Sequence, residues 1–276
     1  MKMTLSATAV RFCLCILVAS LIAPSWASAD LIFSSAPRDT KEKEEALYKP
    51  ITDLLTRATG QKVTFEYGDN FLVYQERMRK GAYDIVLDGP AFVAWRMKKL
   101  DHVPLVKFPG NLSFVVVTKK SEDRVKQLSD LTGRTICGFA PPNIATLDVL
   151  YEFDNPARQP LIIETDNFKQ TYQWMASGRC VGAILQPKIL GALDKDKQIA
   201  KIVFHTKPIP NQAISAGPRV SPETRDKIVK ALLSPEGMAA TQQLRAIYKV
   251  PTLLAASGDE YQGLEKLLRD VWGFDQ

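Results

Sequence analysis

Ser34 and Ser35, followed after Ala36-Pro37 by Arg38, place two hydroxyls and a guanidinium where a short apolar strand runs into a helix-like stretch. Hydroxyls donate hydrogen bonds, a guanidinium adds charge, and a helix N-terminus offers unpaired amides with about half a positive charge. An oxyanion is the natural guest of such a set. The competing use is local: the serines cap the helix, and Asp39 offsets an Arg38 that opposes the macrodipole in the first turn. Asp88 closes another apolar strand. Its carboxylate can accept a proton-bearing ligand oxygen, accept an amine, or cap the helix that opens at Pro90. Its counterpart later in the chain is read as the uncharged Gln186. Asn143 and Thr146 offer side-chain donors, or caps, at a further helix start. Tyr48 and Tyr67 can wall a cleft and present a hydroxyl, or simply pack.

Catalysis finds little support in the same residues. His102 and His205 are the two histidines, far apart and without a serine or cysteine close by in sequence, so no nucleophile and base can be paired. No His, Cys or carboxylate cluster has metal-ligand spacing, and no cofactor is expected. Lys41, Lys43, Lys49, Lys98 and Lys99 are interleaved with acids and apolar residues, which describes a solvated surface rather than a nucleic-acid stripe.

The elements that must position these groups are announced by an internal echo. Gly81-Ala-Tyr-Asp-Ile-Val-Leu-Asp-Gly-Pro90 returns 97 positions later as Gly178-Arg-Cys-Val-Gly-Ala-Ile-Leu-Gln-Pro187. Each copy reads as helix stop, buried strand, helix start. Leu31 to Pro37 and Thr135 to Pro141 echo in the same order, a strand into Ala-Pro. Two copies of one α/β lobe are implied, each a mixed sheet flanked by helices, and open α/β sheets bind ligands beyond the carboxyl ends of their strands. The chain crosses between lobes near Pro109-Gly110 and again at Pro208 to Pro210. These two crossover linkers set lobe one at residues 30–112 plus 213–276 and lobe two at residues 113–212. Leu47, Ile51, Leu54, Leu55 and Ala58 mark the first helix, which Pro50 either kinks or restricts to a start near Tyr48. Ser221-Pro222 and Ser234-Pro235 each announce a capped helix.

Residues 1–29 carry a secretory pattern: Lys2 and Arg11, an apolar run from Phe12 to Ala23, and Ala27-Ser28-Ala29 as cleavage site. The run is too short for the roughly 20 residues of a membrane span, so cleavage after Ala29 and a periplasmic product are expected. Its loss takes the formal net charge from +6 to +4. Cys137 and Cys180 then remain, an even count in an oxidising compartment. If their strands are neighbours the two thiols can bridge; otherwise they are separately buried.

Taken in order, the strand into Ser34-Ser35-Ala-Pro, Tyr48-Lys-Pro50, Gly81 to Pro90, Asp130-Leu-Thr-Gly-Arg-Thr-Ile136 and Asn211-Gln-Ala213 resemble the type II periplasmic solute-binding proteins of ABC transporters. Within them the chain resembles the phosphate, phosphite and phosphonate-binding group. The resemblance implies a two-lobed α/β receptor, monomeric, that holds a small anionic solute in an interlobe cleft for an ABC permease. The same fold also serves ligand sensing with a membrane signalling partner. Where the group usually carries a hydroxyl-rich, glycine-containing loop in lobe two, this chain reads Pro141-Pro142-Asn143-Ile144-Ala145-Thr146.

Overall fold

The computed structural model describes residues 30–274; the expected leader and its cleavage point at Ala29 lie outside them. The chain runs β1 (Leu31–Ser35), α1 (Lys41–Thr59), β2 (Val63–Phe65), α2 (Phe71–Arg79), β3 (Ile85–Asp88), α3 (Pro90–Leu100) and β4 (Val103–Lys107). After β5 (Asn111–Leu112) come β6 (Val115–Lys119), β7 (Thr135–Gly138), α4 (Ile144–Tyr151), β8 (Leu161–Glu164), α5 (Phe168–Ser177), β9 (Gly182–Leu185), α6 (Pro187–Asp194) and β10 (Ala200–His205). β11 (Ile209–Pro210) returns to β12 (Ala213–Ala216), α7 (Pro222–Leu233), α8 (Pro235–Ala240), α9 (Gln242–Tyr248) and β13 (Leu254–Ala255).

The echo is a true structural repeat. One sheet has the order β13-β4-β12-β3-β1-β2 and the other β10-β6-β9-β7-β8. Apart from β13 their orders correspond strand for strand: β1 and β2 match β7 and β8, β3 matches β9, and β4 matches β10. In each, one antiparallel strand is inserted beside the echoed strand, β12 in the first sheet and β6 in the second. These two strands are the ones that follow the crossings. The crossings themselves are joined, because β5 and β11 pair antiparallel with Leu112 opposite Ile209 and Asn111 opposite Pro210. Asn211 Nδ2 adds a hydrogen bond to the Pro109 carbonyl at 3.1 Å. A two-stranded ribbon is stiffer than two separate linkers, which suits a hinge of small amplitude.

α1 departs from expectation. It starts at Lys41 and carries Pro50 inside it, so the proline neither begins the helix nor ends it, at the cost of one bond to the Ala46 carbonyl. Glu42 and Glu44 favour that earlier start by placing negative charge in the first turn. Ile51, Leu54 and Leu55 face the sheet, burying almost completely, and Gly60 ends the helix at φ 73° where a side chain would be strained. Arg38 consequently lies in the loop before α1, not in its first turn, and the expected conflict with the helix dipole falls away.

Ser221 and Ser234 cap as expected, accepting from the Thr224 and Gly237 amides at 3.2 and 3.1 Å. The final helix is short and partly π-helical over Leu267–Val271. Leu267 and Leu268 share one apolar cluster with Leu147 of α4, and Ile144 and Val271 pack against it. The chain's end is thereby fastened to lobe two. Burying Leu147, Leu267 and Leu268 stabilises by roughly 1.5 to 3 kcal/mol each.

Cys137 lies on β7, and Cys180 lies two residues before its parallel neighbour β9. A disulfide joins them across a Cα–Cα distance of 5.7 Å.

Candidate functional site

The repeat sends four Ala-Pro or Pro-led turns to the carboxyl edges of the two sheets, and a cavity of about 300 Å³ opens between three of them. Arg38, Asp88, Gly89 and Phe92 line it from lobe one, and Asn143 and Ile144 from lobe two. α3 points its N-terminus at this space. Its first internal bond runs from the Val93 amide to the Gly89 carbonyl, and Pro90 has no N–H, so the Ala91 and Phe92 amides have no acceptor within the helix. α4 arrives from the other lobe. Asn143 Oδ1 accepts the Ala145 amide at 3.0 Å and caps it, leaving the Ile144 amide without a helical acceptor. Two positive helix ends thus converge on one cavity from opposite sides.

Asp88 sits at the cavity wall, only 3% exposed. Arg96 Nε donates to its Oδ2 at 2.5 Å and the Tyr74 hydroxyl to its Oδ1 at 2.8 Å, while Arg96 Nη2 donates to the Tyr74 oxygen at 3.0 Å. Both partners are fully buried. Burial pushes the Tyr74 hydroxyl well above its ordinary value, and the Asp88 charge adds to that. Burial alone would lower Arg96, but the carboxylate and the tyrosine more than reverse it. Asp88 does not cap α3, whose N-cap is Gly89.

Arg38 is exposed, and its guanidinium lies 5.6 Å from the centre of the Tyr248 ring. Its backbone amide donates to Glu44 Oε1 at 2.6 Å, which fixes the loop. A second cavity, about 530 Å³, lies between α1 and α9 and shares Arg38 with the first.

The structure brings together Arg38, Asp88 and Asn143 among the residues singled out in the sequence. Others are occupied elsewhere. Ser34 Oγ donates to the Glu66 carbonyl at 2.8 Å and Thr146 Oγ1 to the Phe139 carbonyl at 2.6 Å, and both side chains are fully buried. Ser35 is buried beside the Tyr48 hydroxyl. Tyr48 stacks on Phe65 at 4.6 Å between ring centres and reaches the second cavity rather than the first. Tyr67 donates to the Asp39 carbonyl at 2.9 Å on the rim. Gln186 is the N-cap residue of α6 without a side-chain capping bond, and it matches Gly89 rather than Asp88. The strand registers place Asp88 opposite Ala213 and Leu185 opposite Val115, so Leu185 is the true counterpart of Asp88. The offset arises because Pro90 and Pro187, not the polar residues, mark the equivalent helix starts.

Among the described residues no group of three His, Cys, Asp or Glu side chains is placed to hold a metal ion. His102 is buried against Ser215, with Nδ1 3.1 Å from Oγ, and burial together with Arg96 and Arg225 pushes it down to about 3. It therefore stays neutral and structural.

A family model described as ABC transporter, phosphonate, periplasmic substrate-binding protein matches residues 33–261. The chain belongs to that family. Members of this phosphonate-binding family are receptors of transport systems, not enzymes, and act in the periplasm with an ABC permease and a small anion. Comparison with curated proteins gave no match. Among solved structures, XAC2383 from Xanthomonas citri, bound to ATP, is similar at TM-score 0.69 and 12% identity, covering 90% of this chain and 100% of its own. A binding protein component of an ABC phosphonate transporter from Pseudomonas aeruginosa, PA3383, is similar at TM-score 0.59 and 13% identity, covering 89% and 87%. PhnD1 from Prochlorococcus marinus in complex with methylphosphonate is similar at TM-score 0.61 and 12% identity, covering 87% and 97%. These likenesses establish the two-lobed receptor fold and nothing finer.

Arg96, Tyr74 and Phe92 escaped the sequence reading. Arg96 follows Trp95 in a helix whose next residues are Met97, Lys98 and Lys99, a context that reads as solvated. Its one sequence signal is spacing, since position 96 stands two turns beyond Asp88 on the helix that Asp88 precedes.

Proposed function

We propose that this receptor captures a phosphonate- or phosphate-like oxyanion in the cleft between its lobes and presents it to the permease. One observation carries the reading: the N-termini of α3 and α4, from different lobes, meet at a single cavity that Arg38 also lines. Amides from α3 and the Arg38 side chain would ligate the anion from lobe one, and Asn143 with the Ile144 amide would complete the shell on closure. The lobes divide at residues 112/113 and 212/213, a division supported by the β5–β11 ribbon. Export with cleavage after Ala29 is part of the same reading.

A thermal-shift screen of oxyanions against amino acids and neutral solutes tests it. Methylphosphonate, phosphite or phosphate at 100 times its dissociation constant should stabilise the fold by about 2.7 kcal/mol. Stabilisation by amino acids alone would overturn the assignment.

A further inference from the structure

Asp88 is an unusual group to find on the wall of an anion site, since it brings a negative charge to the cavity. Its geometry gives it a purpose. Arg96 and Tyr74 hold the carboxylate from behind, one on each oxygen, so it can neither rotate away nor cap α3. Each oxygen has lone-pair capacity beyond that one bond. From the oxyanion reading above we infer that Asp88 is a specificity residue that accepts a hydrogen bond from an O–H of the bound anion, so the cleft takes a monoprotonated oxyanion such as a hydrogen phosphonate. A fully ionised oxyanion would present only acceptors to it.

The charges nearby agree. The Arg96 charge is already paired with Asp88, which leaves Arg38, itself close to the Glu44 carboxylate, as the cation that faces the ligand. A monoanion matches it, whereas a dianion also meets Asp88 as like charge at close range. The same arrangement disfavours an ammonium group at Asp88, because the Arg96 guanidinium already satisfies the carboxylate's need for a cation. A neutral O–H needs no such counter-charge.

Groups facing Asp88 from the surrounding elements do not titrate between neutral and mildly alkaline pH. Tyr74 on α2 is raised well above its ordinary value by burial, and Tyr248 on α9 is raised for the same reason. Against the effect of burial, Arg96 on α3 is raised by the Asp88 carboxylate and Tyr74. Asp148, further along α4, is pushed up by burial to about 6, which lies below that range. A pH dependence measured there reports on the ligand.

Titration calorimetry on the mature protein tests the inference with two probes of similar shape, methylphosphonate, which carries an O–H as its monoanion, and methanesulfonate, which has none. At neutral pH methylphosphonate should bind on the order of 10- to 100-fold more tightly, and its affinity should fall as its second proton leaves. Asp88→Asn should narrow the gap, since an amide N–H can donate to a sulfonate oxygen. Should that variant fail to fold, the wild-type comparison still decides. Equal binding of the two probes, or methylphosphonate affinity that rises with pH, overturns the role of Asp88 while leaving the oxyanion cleft intact. Failure of both probes to bind at any pH overturns the oxyanion reading, and the selection with it.

Discussion

Asp88 and Leu185 hold the same place in the two lobes, the last residue of the echoed strand before a Pro-led helix, and only Asp88 is charged. The repeat has therefore been specialised on one side. Lobe one supplies Arg38, Asp88 and the buried Arg96 and Tyr74 behind it. Lobe two supplies a capped helix end and apolar surface. On the proposed reading, discrimination between solutes would belong to lobe one and closure to lobe two.

Arg96→Leu should be severely destabilising. It leaves Asp88 buried without its cation, which typically costs about 3 to 5 kcal/mol. Adding Asp88→Asn to Arg96→Leu should recover a large part of the loss. Urea melts of both variants check this, and additive losses would mean the pair is not coupled.

Arg38→Ala should weaken binding of the screened oxyanion by on the order of 10- to 100-fold. The stability of the unliganded protein should change little, because the side chain is exposed and its contact is the edge of the Tyr248 environment. Calorimetry beside melting measures both. Unchanged affinity with a lowered melting point would make Arg38 a structural residue.

Asp148 should confer a pH dependence on stability. Burial raises its carboxyl from 3.8 to about 6, against a bond from Thr206 that lowers it, and its Oδ2 has no hydrogen-bond partner. The folded protein holds that proton more tightly than the unfolded chain. Its contribution is thus complete below about pH 4 and is lost as pH rises through about 6, by roughly 3 kcal/mol. Asp148→Asn should raise the melting temperature at neutral pH and leave it unchanged in acid. A uniform shift across pH would contradict this.

The Cys137–Cys180 disulfide closes a separation of 43 residues. Removing it by Cys137→Ser with Cys180→Ser should cost about 4 kcal/mol in the chain-entropy view. Denaturant titration gives the loss, and alkylation without reductant followed by mass spectrometry gives the redox state. Two alkylated thiols in exported protein would refute the bridge.

Much of the fold was readable because its signals are local. Gly81, Pro90, Gly178 and Pro187 punctuate the chain by backbone chemistry, and the apolar runs between them can only be buried strands. Ser221 and Ser234 cap helices for the same kind of reason. The site was less readable because its signals are not local. Ser34 and Thr146 have the donors an anion needs, but backbone carbonyls 32 and 7 residues away take them. Arg38 was placed in a helix because it follows Ala36-Pro37, which reads as a helix start, whereas α1 begins at Lys41. Arg96 acquires its meaning only when α2 brings Tyr74 to Asp88, an event that no spacing in the sequence announces.

The inserted strands impose an order of assembly. β6 to β10 form one unbroken stretch, so the second sheet can complete itself as soon as residue 205 has emerged. The first sheet cannot, because β12, which sits between β3 and β4, comes only after all of lobe two has been made. A chain threaded N-terminus first into a compartment therefore carries its older half unfinished while its younger half is already closed. Until residues 213–216 arrive, β3 presents an unpaired edge and β4 has no strand partner, the kind of surface that invites wrong partners. On the proposed reading, the half that selects the ligand is thus the half left open longest, and slow or interrupted delivery should damage recognition before it damages the disulfide-bonded lobe.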